Sequence, residues 1–302
     1  MTPVCDSGAL GRPALVVHGG AGALALARRD ENGGDITRAD LEDALRSALS
    51  GGWEVLSTGG PALQAVVEAV ARLESSGFFN AGLGSVRTTA GTTETDASVM
   101  DGRTGRAGAV GAATWPANPV RAALAVALSA EEGGGWQPLL LVGPGADNFA
   151  REAGLVPTLN SSVSRPDVGH GTGTVGAVAV DRAGHVAAAT STGGRAGQPP
   201  GRVGDSAVIG AGTWADDEAA AVSATGTGEA FILAGFGHLV DWALGSGAGL
   251  PDALGAALQA VSRRGGRGGA IAITPTGDFA SVFDTPAMAR GWHGEAGPVV
   301  RI

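Results

Sequence analysis

From Pro157 to Gly173 the chain reads PTLNSSVSRPDVGHGTG, a polar run without apolar periodicity standing between two halves rich in short apolar segments. Ahead of it, Ala14–Gly20 reads as a buried strand ending in glycines, and Thr37–Leu56 and Pro61–Leu73 have helical spacing, with Leu41, Ala44, Leu45 and Ala48 on one face. Short strands are expected at Val86–Thr88, Thr95–Met100 and Ala107–Thr114, with a tight hairpin at Asp101-Gly102. A helix over Asn118–Ala130, a buried strand over Leu139–Val142 and a short helix over Ala146–Ala153 complete this half. Beyond the polar run come strands at Thr174–Val180, Val186–Thr192, Ala207–Gly210 and Ala219–Ala224. Helices at Glu229–Leu244 and Pro251–Ser262 follow, then strands at Ala270–Thr274 and Phe279–Asp284. Neither half alternates strand and helix strictly, so a doubly wound sheet fits poorly. Two sheets packed face to face with helices outside fit better, as one domain over 1–302 with an internal linker at about 157–173.

Composition narrows the function. Glycine supplies 53 of 302 residues without a Gly-X-Y period, so tight turns are expected and collagen is excluded. All 20 basic residues are arginine, and the net charge of −9 argues against a nucleic-acid partner. No window approaches a membrane span, Met1–Pro13 lacks the pattern of a signal peptide, and Cys5 has no partner for a disulfide, so a cytoplasmic location is expected. The five histidines are scattered, there is no HExxH and no G-x-S-x-G, which disfavours zinc and serine-hydrolase chemistry. Gly20-Ala-Gly22 mimics a dinucleotide fingerprint, but the acidic residues at the required distance, Asp40 and Glu42, fall inside a helix rather than at a strand end.

The chemically informative stretch begins where the polar run ends. Thr174 follows Gly173 at the start of an apolar strand, GTVGAVAV. If the 173–174 peptide were cut, Thr174 would carry a free α-amine beside its own hydroxyl, which supplies nucleophile and general base from one residue. An α-amine titrates near ~7.7–8.0, so a useful neutral fraction exists at neutral pH. Taken alone, a threonine opening a strand after a glycine turn is ordinary sheet structure. Its company changes the weight: TSTGG ends the next strand at Thr192, GRVGDS carries Arg202 and Asp205, and ATGTGE carries Thr225, Gly226 and Gly228. Arg202 can grip an α-carboxylate, Asp205 can take an α-ammonium, and Thr225 with the Gly226 amide can face an oxyanion. The competing reading of Arg202 and Asp205 is a mutual surface salt bridge.

In order and spacing, these segments closely resemble the plant-type L-asparaginase/isoaspartyl peptidase family of N-terminal-nucleophile hydrolases. The likeness extends to HGGAG at 18–22, Phe79-Asn-Ala-Gly82, Glu94-Thr-Asp96-Ala-Ser-Val-Met-Asp-Gly102 and Phe283-Asp-Thr-Pro with Arg290-Gly. The resemblance implies an α+β fold, a four-layer αββα sandwich, autocleaved between Gly173 and Thr174 into an α subunit (1–173) and a β subunit (174–302). It implies Thr174 as nucleophile, oriented by Thr192, with Thr225 and Gly226 as oxyanion hole. Arg202, Asp205 and the Gly228 carbonyl would bind substrate, and Asn80 would lie near the nucleophile. No catalytic cofactor is implied. A structural sodium would sit on backbone carbonyls of Leu73, Glu74, Ser76, Phe79, Ala81 and Leu83. The implied substrates are L-asparagine and β-aspartyl dipeptides, and the implied assembly pairs two αβ units. A glycosylasparaginase-type amidase and an unprocessed protein that merely binds aspartyl ligands are the competing functions. The sequence departs from the family at Arg195–Pro200, where an Asn-Lys pair is common, and at Asp284, where Asn is common.

Overall fold

The computed structural model describes residues 3–22, 36–129, 137–158 and 173–302. The expected linker therefore lies almost entirely outside the described residues. Among them the chain is mixed α+β, with seven α-helices and two sheets.

Strands β1 (Val4–Ala9) and β2 (Ala14–Gly22) precede α1 (Arg38–Ser57) and α2 (Ala62–Ser76). Helix α1 starts where a capping box forms. Thr37 accepts from the Asp40 N–H, and the Asp40 carboxylate accepts from the Thr37 N–H at 2.7 Å. The expected stripe of Leu41, Ala44, Leu45 and Ala48 is its buried face, and Asp40 and Glu42 lie within the helix. β3 (Thr95–Asp101) and β4 (Ala107–Ala113) form the expected hairpin, but through a wider loop in which Gly105 takes φ +67°. α3 (Pro119–Leu128), β5 (Leu140–Val142) and α4 (Gly143–Glu152) follow. The second half contains β6 (Val175–Val180), β7 (Val186–Thr192), β8 (Thr213–Ala215), β9 (Ala221–Gly226), α5 (Gly228–Ala234), α6 (Phe236–Gly245), α7 (Leu250–Ser262), β10 (Gly268–Ile273), β11 (Asp278–Phe283), β12 (Ala287–Gly294) and β13 (Gly297–Arg301).

One sheet has the order β13-β12-β2-β6-β7-β3-β4-β5, the other β1-β11-β10-β9-β8. Leu45, Leu49, Val66, Val70, Val120 and their neighbours pack the helices α1–α4 against the eight-stranded sheet. Phe231, Phe236, Leu254 and Leu258 pack α5–α7 against the five-stranded one. Val16, Val178, Val180, Ile271 and Ile273 fill a third cluster, which joins residues of the two sheets. At roughly 25 cal/mol per Å² of apolar surface, such burial is the main force holding the sheets together. Among the described residues no helix is long and apolar enough to cross a membrane.

Several sequence expectations are corrected. Val86–Thr88 is not a strand; it contributes only an isolated bridge, Arg87 to Thr93. Ala207–Gly210 is not a strand either, because the Asp205 carbonyl accepts the N–H groups of Val208 and Gly212 and winds Asp205–Ala207 into a 3₁₀ turn. β5 is an exposed edge strand rather than a buried one. The helix read over Glu229–Leu244 is two helices, divided at Gly235, whose φ of +59° ends α5. β1, β8, β12 and β13 carry no clean alternation and were not anticipated.

Candidate active site

The candidate site lies where β2, β6, β7 and β9 end close together. β6 pairs antiparallel with β7, Val175 opposite Ser191, so continuing the register by one residue sets Thr174 across from Thr192. Thr174 is buried. Just before it, Gly173 takes φ +61° and stands face to face with Gly20 (φ +99°). A Cβ on either would strike the other's backbone, so this close crossing requires glycine at both positions. Gly20 of HGGAG is thus packed against the residue that precedes Thr174.

The hydroxyls expected around Thr174 are held with their protons available. Thr192 Oγ1 accepts from the Gly194 N–H at 3.1 Å, and Thr225 Oγ1 accepts from the Ala21 N–H at 3.2 Å. A hydroxyl that is accepting still has its own O–H to donate. Thr225 is fully buried, whereas Gly226 beside it is exposed and has φ +146° against the Arg267 carbonyl, with no room for a side chain. Asn80 donates to the Gly194 carbonyl at 2.7 Å and accepts from the Val86 N–H at 3.0 Å, while its own carbonyl accepts from Gly193. The carboxamide therefore shapes the loop that follows Thr192.

Arg202 and Asp205 do not form the surface salt bridge that competed with the clamp. Arg202 is mostly buried and reaches Glu229 through Nε at 3.0 Å and a terminal nitrogen at 2.9 Å, with Gln198 at 3.4 Å. Asp205 is buried with Oδ2 lacking any hydrogen-bond partner among the described residues. Burial pushes its carboxyl up to about 7, against the opposing pull of Arg202. Gly228, the first residue of α5, lies against both: a Cβ there would stand 2.7 Å from Asp205 Oδ1 and 3.0 Å from Arg202. The arrangement is a cationic group and an unsatisfied anionic one side by side, suited to an amino acid's two α-groups.

Three supporting residues escaped the sequence reading. Asp96, opposite Thr192 in the β3–β7 ladder, accepts from the Gly204 N–H at 2.7 Å and from Ala112 at 2.9 Å, tying the Arg202–Asp205 loop to the sheet. Burial raises its carboxyl to about 6 despite these bonds. Gln198, inside the divergent Arg195–Pro200 stretch, accepts from the Arg195 N–H and touches Arg202, so that stretch braces the Arg202 side chain. Glu229 ends the ATGTGE motif and was available to view as a charge beside Arg202. The other departure, Asp284, accepts from Gly268 N–H at 2.8 Å and Ser262 at 3.0 Å and fastens β10.

The loop expected to hold sodium doubles back onto the end of α2. Ser76 Oγ donates to the Leu73 carbonyl at 2.7 Å, the Ala81 N–H to Phe79 at 2.9 Å, and the Gly84 N–H to Ala81 at 3.1 Å. The Phe79 and Ala81 carbonyls, each accepting one such bond, have a second lone pair, and oxygen ligands of this kind suit a hard cation, whereas Leu73 lies inside α2. The Glu74 side chain points elsewhere: it accepts from Val120 N–H and Asn118 at 3.0 Å each and caps α3. Burial raises that carboxyl to about 7.

A family described as Asparaginase matches residues 11–167 and 156–300, and the chain belongs to that family. An isoaspartyl peptidase of Salmonella typhimurium is 38% identical, over 94% of this chain and 96% of its own. A plant-type L-asparaginase of Pyrobaculum calidifontis is 40% identical, over 94% and 98%. An isoaspartyl peptidase/L-asparaginase of Homo sapiens is 36% identical, over 91% of each.

Proposed function

We propose that the chain is a threonine hydrolase that cleaves the β-amide of L-asparagine and the β-peptide bond of isoaspartyl dipeptides. The observation that carries this reading is the unpartnered, buried Asp205 carboxylate oxygen beside Arg202. A buried anion without a partner is costly, and a substrate α-ammonium removes that cost while Arg202 takes the α-carboxylate. Such a ligand has its side-chain carbonyl left to react. Family membership and the names of the relatives supply the reaction class.

In the precursor, Thr174 Oγ1 attacks the Gly173 carbonyl and water hydrolyses the resulting ester, freeing the Thr174 amine and dividing the chain into 1–173 and 174–302. In turnover, Thr174 Oγ1 attacks the substrate's β-carbonyl as its own α-amine takes the hydroxyl proton. The Thr192 hydroxyl orients the nucleophile, and the Thr225 O–H and Gly226 N–H stabilise the oxyanion, a contribution of about 3–4 kcal/mol for a well-placed donor. The proton passes to the leaving nitrogen, ammonia or an amino acid departs, and water hydrolyses the β-aspartyl ester. The layers stack helix, sheet, sheet, helix as one αββα domain. A sodium ion rests on the carbonyls of residues 73–83, and exchange of sodium for choline lowers Tm. Two αβ units pair in the cytoplasm.

Assay of L-asparagine and a β-aspartyl dipeptide tests the reading. The wild-type protein turns both over and Thr174→Ala neither cuts itself nor turns over either. A Thr174→Ala protein that retains turnover overturns it. A preference for N-glycosylated asparagine would favour the glycosylasparaginase alternative, whose scaffold is the same.

A further inference from the structure

The reaction above gives no task to Glu94, Asp96 and Ser98, which stand at every second position where β3 begins. Side chains two apart along a strand share a face. All three reach the same partner, the segment 201–206 that carries Arg202 and Asp205. The Gly201 N–H donates to Glu94 Oε2 at 2.8 Å, the Gly204 N–H donates to Asp96 Oδ2 at 2.7 Å, and Ser98 Oγ donates to the Ser206 carbonyl at 2.6 Å. Three side chains thus do for this segment what the main chain of a neighbouring strand does in a ladder. Their points of attachment bracket the two charged residues: Arg202 lies between the first and second, Asp205 between the second and third.

These attachments are themselves held. Asp96 stands opposite Thr192 of β7 on one side and, on the other, opposite a bulge of β4 formed by Gly111 and Ala112. Ala112 takes φ +47°, uncommon for a residue with a side chain, and its N–H donates to Asp96 Oδ1 at 2.9 Å. Asp96 is therefore buried with both oxygens in use. Ser98, fully buried, has its Oγ 2.7 Å from the Thr213 hydroxyl of β8, which lies 2.6 Å from that of Thr190 in β7. Within the segment, the Asp205 carbonyl accepts from the Val208 and Gly212 N–H groups. The main chain is thus fixed before, at and after Asp205, while its Oδ2 has no partner among the described residues. A yielding loop would turn such a group toward a donor, so it is the rigidity of the segment that keeps the anion free for a ligand.

We propose, on the reading of Arg202 and Asp205 as the clamp for a substrate's α-groups, that Glu94, Asp96 and Ser98 are positioning residues. They hold the clamp at a set distance from the Thr192 end of β7, and this distance makes the site take an aspartyl side chain over a glutamyl one. Asp96 links the two places directly, since it faces Thr192 in the ladder and grips Gly204 through its carboxylate. A ligand one methylene longer keeps both α-groups but overshoots, a mismatch worth about 10–200-fold in a close-fitting pocket.

L-Aspartate and L-glutamate share the two α-groups and differ by that methylene, so their dissociation constants, measured by calorimetry, test the proposal without turnover. The wild-type protein binds L-aspartate more tightly by about tenfold or more. Asp96→Asn leaves an acceptor for only one of the two N–H groups, because its amide nitrogen faces the other. Ser98→Ala removes the donor to the Ser206 carbonyl. Each variant weakens L-aspartate by about tenfold or more and L-glutamate by less than about threefold, so the preference narrows. A merely structural role lowers Tm and leaves the ratio intact, so an unchanged ratio in either folded variant overturns the proposal. A wild type that binds L-aspartate without preference overturns it as well, while the clamp reading survives. A wild type that binds neither amino acid ends the clamp reading and the proposal with it. Should neither variant fold, amide exchange in the wild type decides. The Gly204 N–H exchanges as slowly as the amides of β7 if Asp96 holds it, and exchange at the rate of an exposed loop overturns the proposal.

Discussion

Asp147, in α4, is buried, and its two oxygens accept from the Thr114 N–H at 2.8 Å, the Thr114 hydroxyl at 2.5 Å and the Trp115 N–H at 2.9 Å. Asp205, near the end of β7's following loop, is equally buried, yet one of its oxygens has no partner among the described residues and its nearest cation, Arg202, is bonded to Glu229. The first carboxylate is satisfied by backbone and hydroxyl donors of its own fold and fastens α4 to the loop after β4. The second is left in a state that a folded chain by itself does not favour. On the proposed reading, stability and ligand binding are divided between two aspartates of similar burial, and the difference lies wholly in where the donors come from.

The comparison breaks most sharply at Asp205. Asp205→Asn lowers kcat/KM by about 100-fold or more, because the ligand's ammonium loses a buried counter-charge. The same change raises Tm by a few degrees, since the fold is relieved of an unsatisfied anion. The pH dependence has a definite sign. The Asp205 carboxyl stands near 3.8 when unfolded and is raised to about 7 when folded. Between those values the folded chain binds a proton that the unfolded chain has released, so Asp205 makes stability fall as pH climbs toward about 7 and level off above it. Denaturant melts of wild type and Asp205→Asn at several pH values show the two curves parting over that window.

Arg202→Lys comes next, with kcat/KM down by about tenfold or more, because an ammonium cannot reproduce the planar fork that engages a carboxylate and Glu229 together. Asp147→Asn has the opposite profile to Asp205→Asn: a loss of about 1–3 kcal/mol in unfolding free energy, with kcat/KM per folded molecule unchanged. A smaller effect is the rise of KM as pH falls through about 7, as Asp205 takes up a proton, and this rise disappears in Asp205→Asn. Glu229→Gln moves kcat/KM by less than about threefold, because Glu229 is half exposed and its pairing with Arg202 is solvent-screened.

Those parts of the molecule governed by local rules were legible in the sequence. α1 declared itself through its Leu/Ala stripe and a capping Thr37, and β7 through seven residues with a hydroxyl–glycine end. Thr174, Thr192 and Thr225 stood out because each opens or closes a strand beside glycines; β6 pairs with β7, and β9 packs against both while Thr225 accepts from Ala21 of β2. What depended on distant partners was not legible. Asp96 looks like any strand residue until Gly204, 108 positions away, donates to it. The hydroxyls of Ser98, Thr190, Thr213 and Ser223 are ordinary strand residues until two sheets bring them within bonding distance. Glu74 was expected through its carbonyl, whereas its side chain caps α3 from 46 residues away. β12 was missed because Met-Ala-Arg-Gly-Trp-His has no period of two, its register being set by β2 on one side and β13 on the other.

Intact mass spectrometry of the purified protein, followed over days, tests the central claim most directly. The account predicts two polypeptides, one ending at Gly173 and one beginning at Thr174, whose masses sum to the full chain plus one water. A single uncut chain, without turnover of L-asparagine or a β-aspartyl dipeptide, would contradict it and leave Arg202 and Asp205 as the clamp of a protein that only binds its ligand.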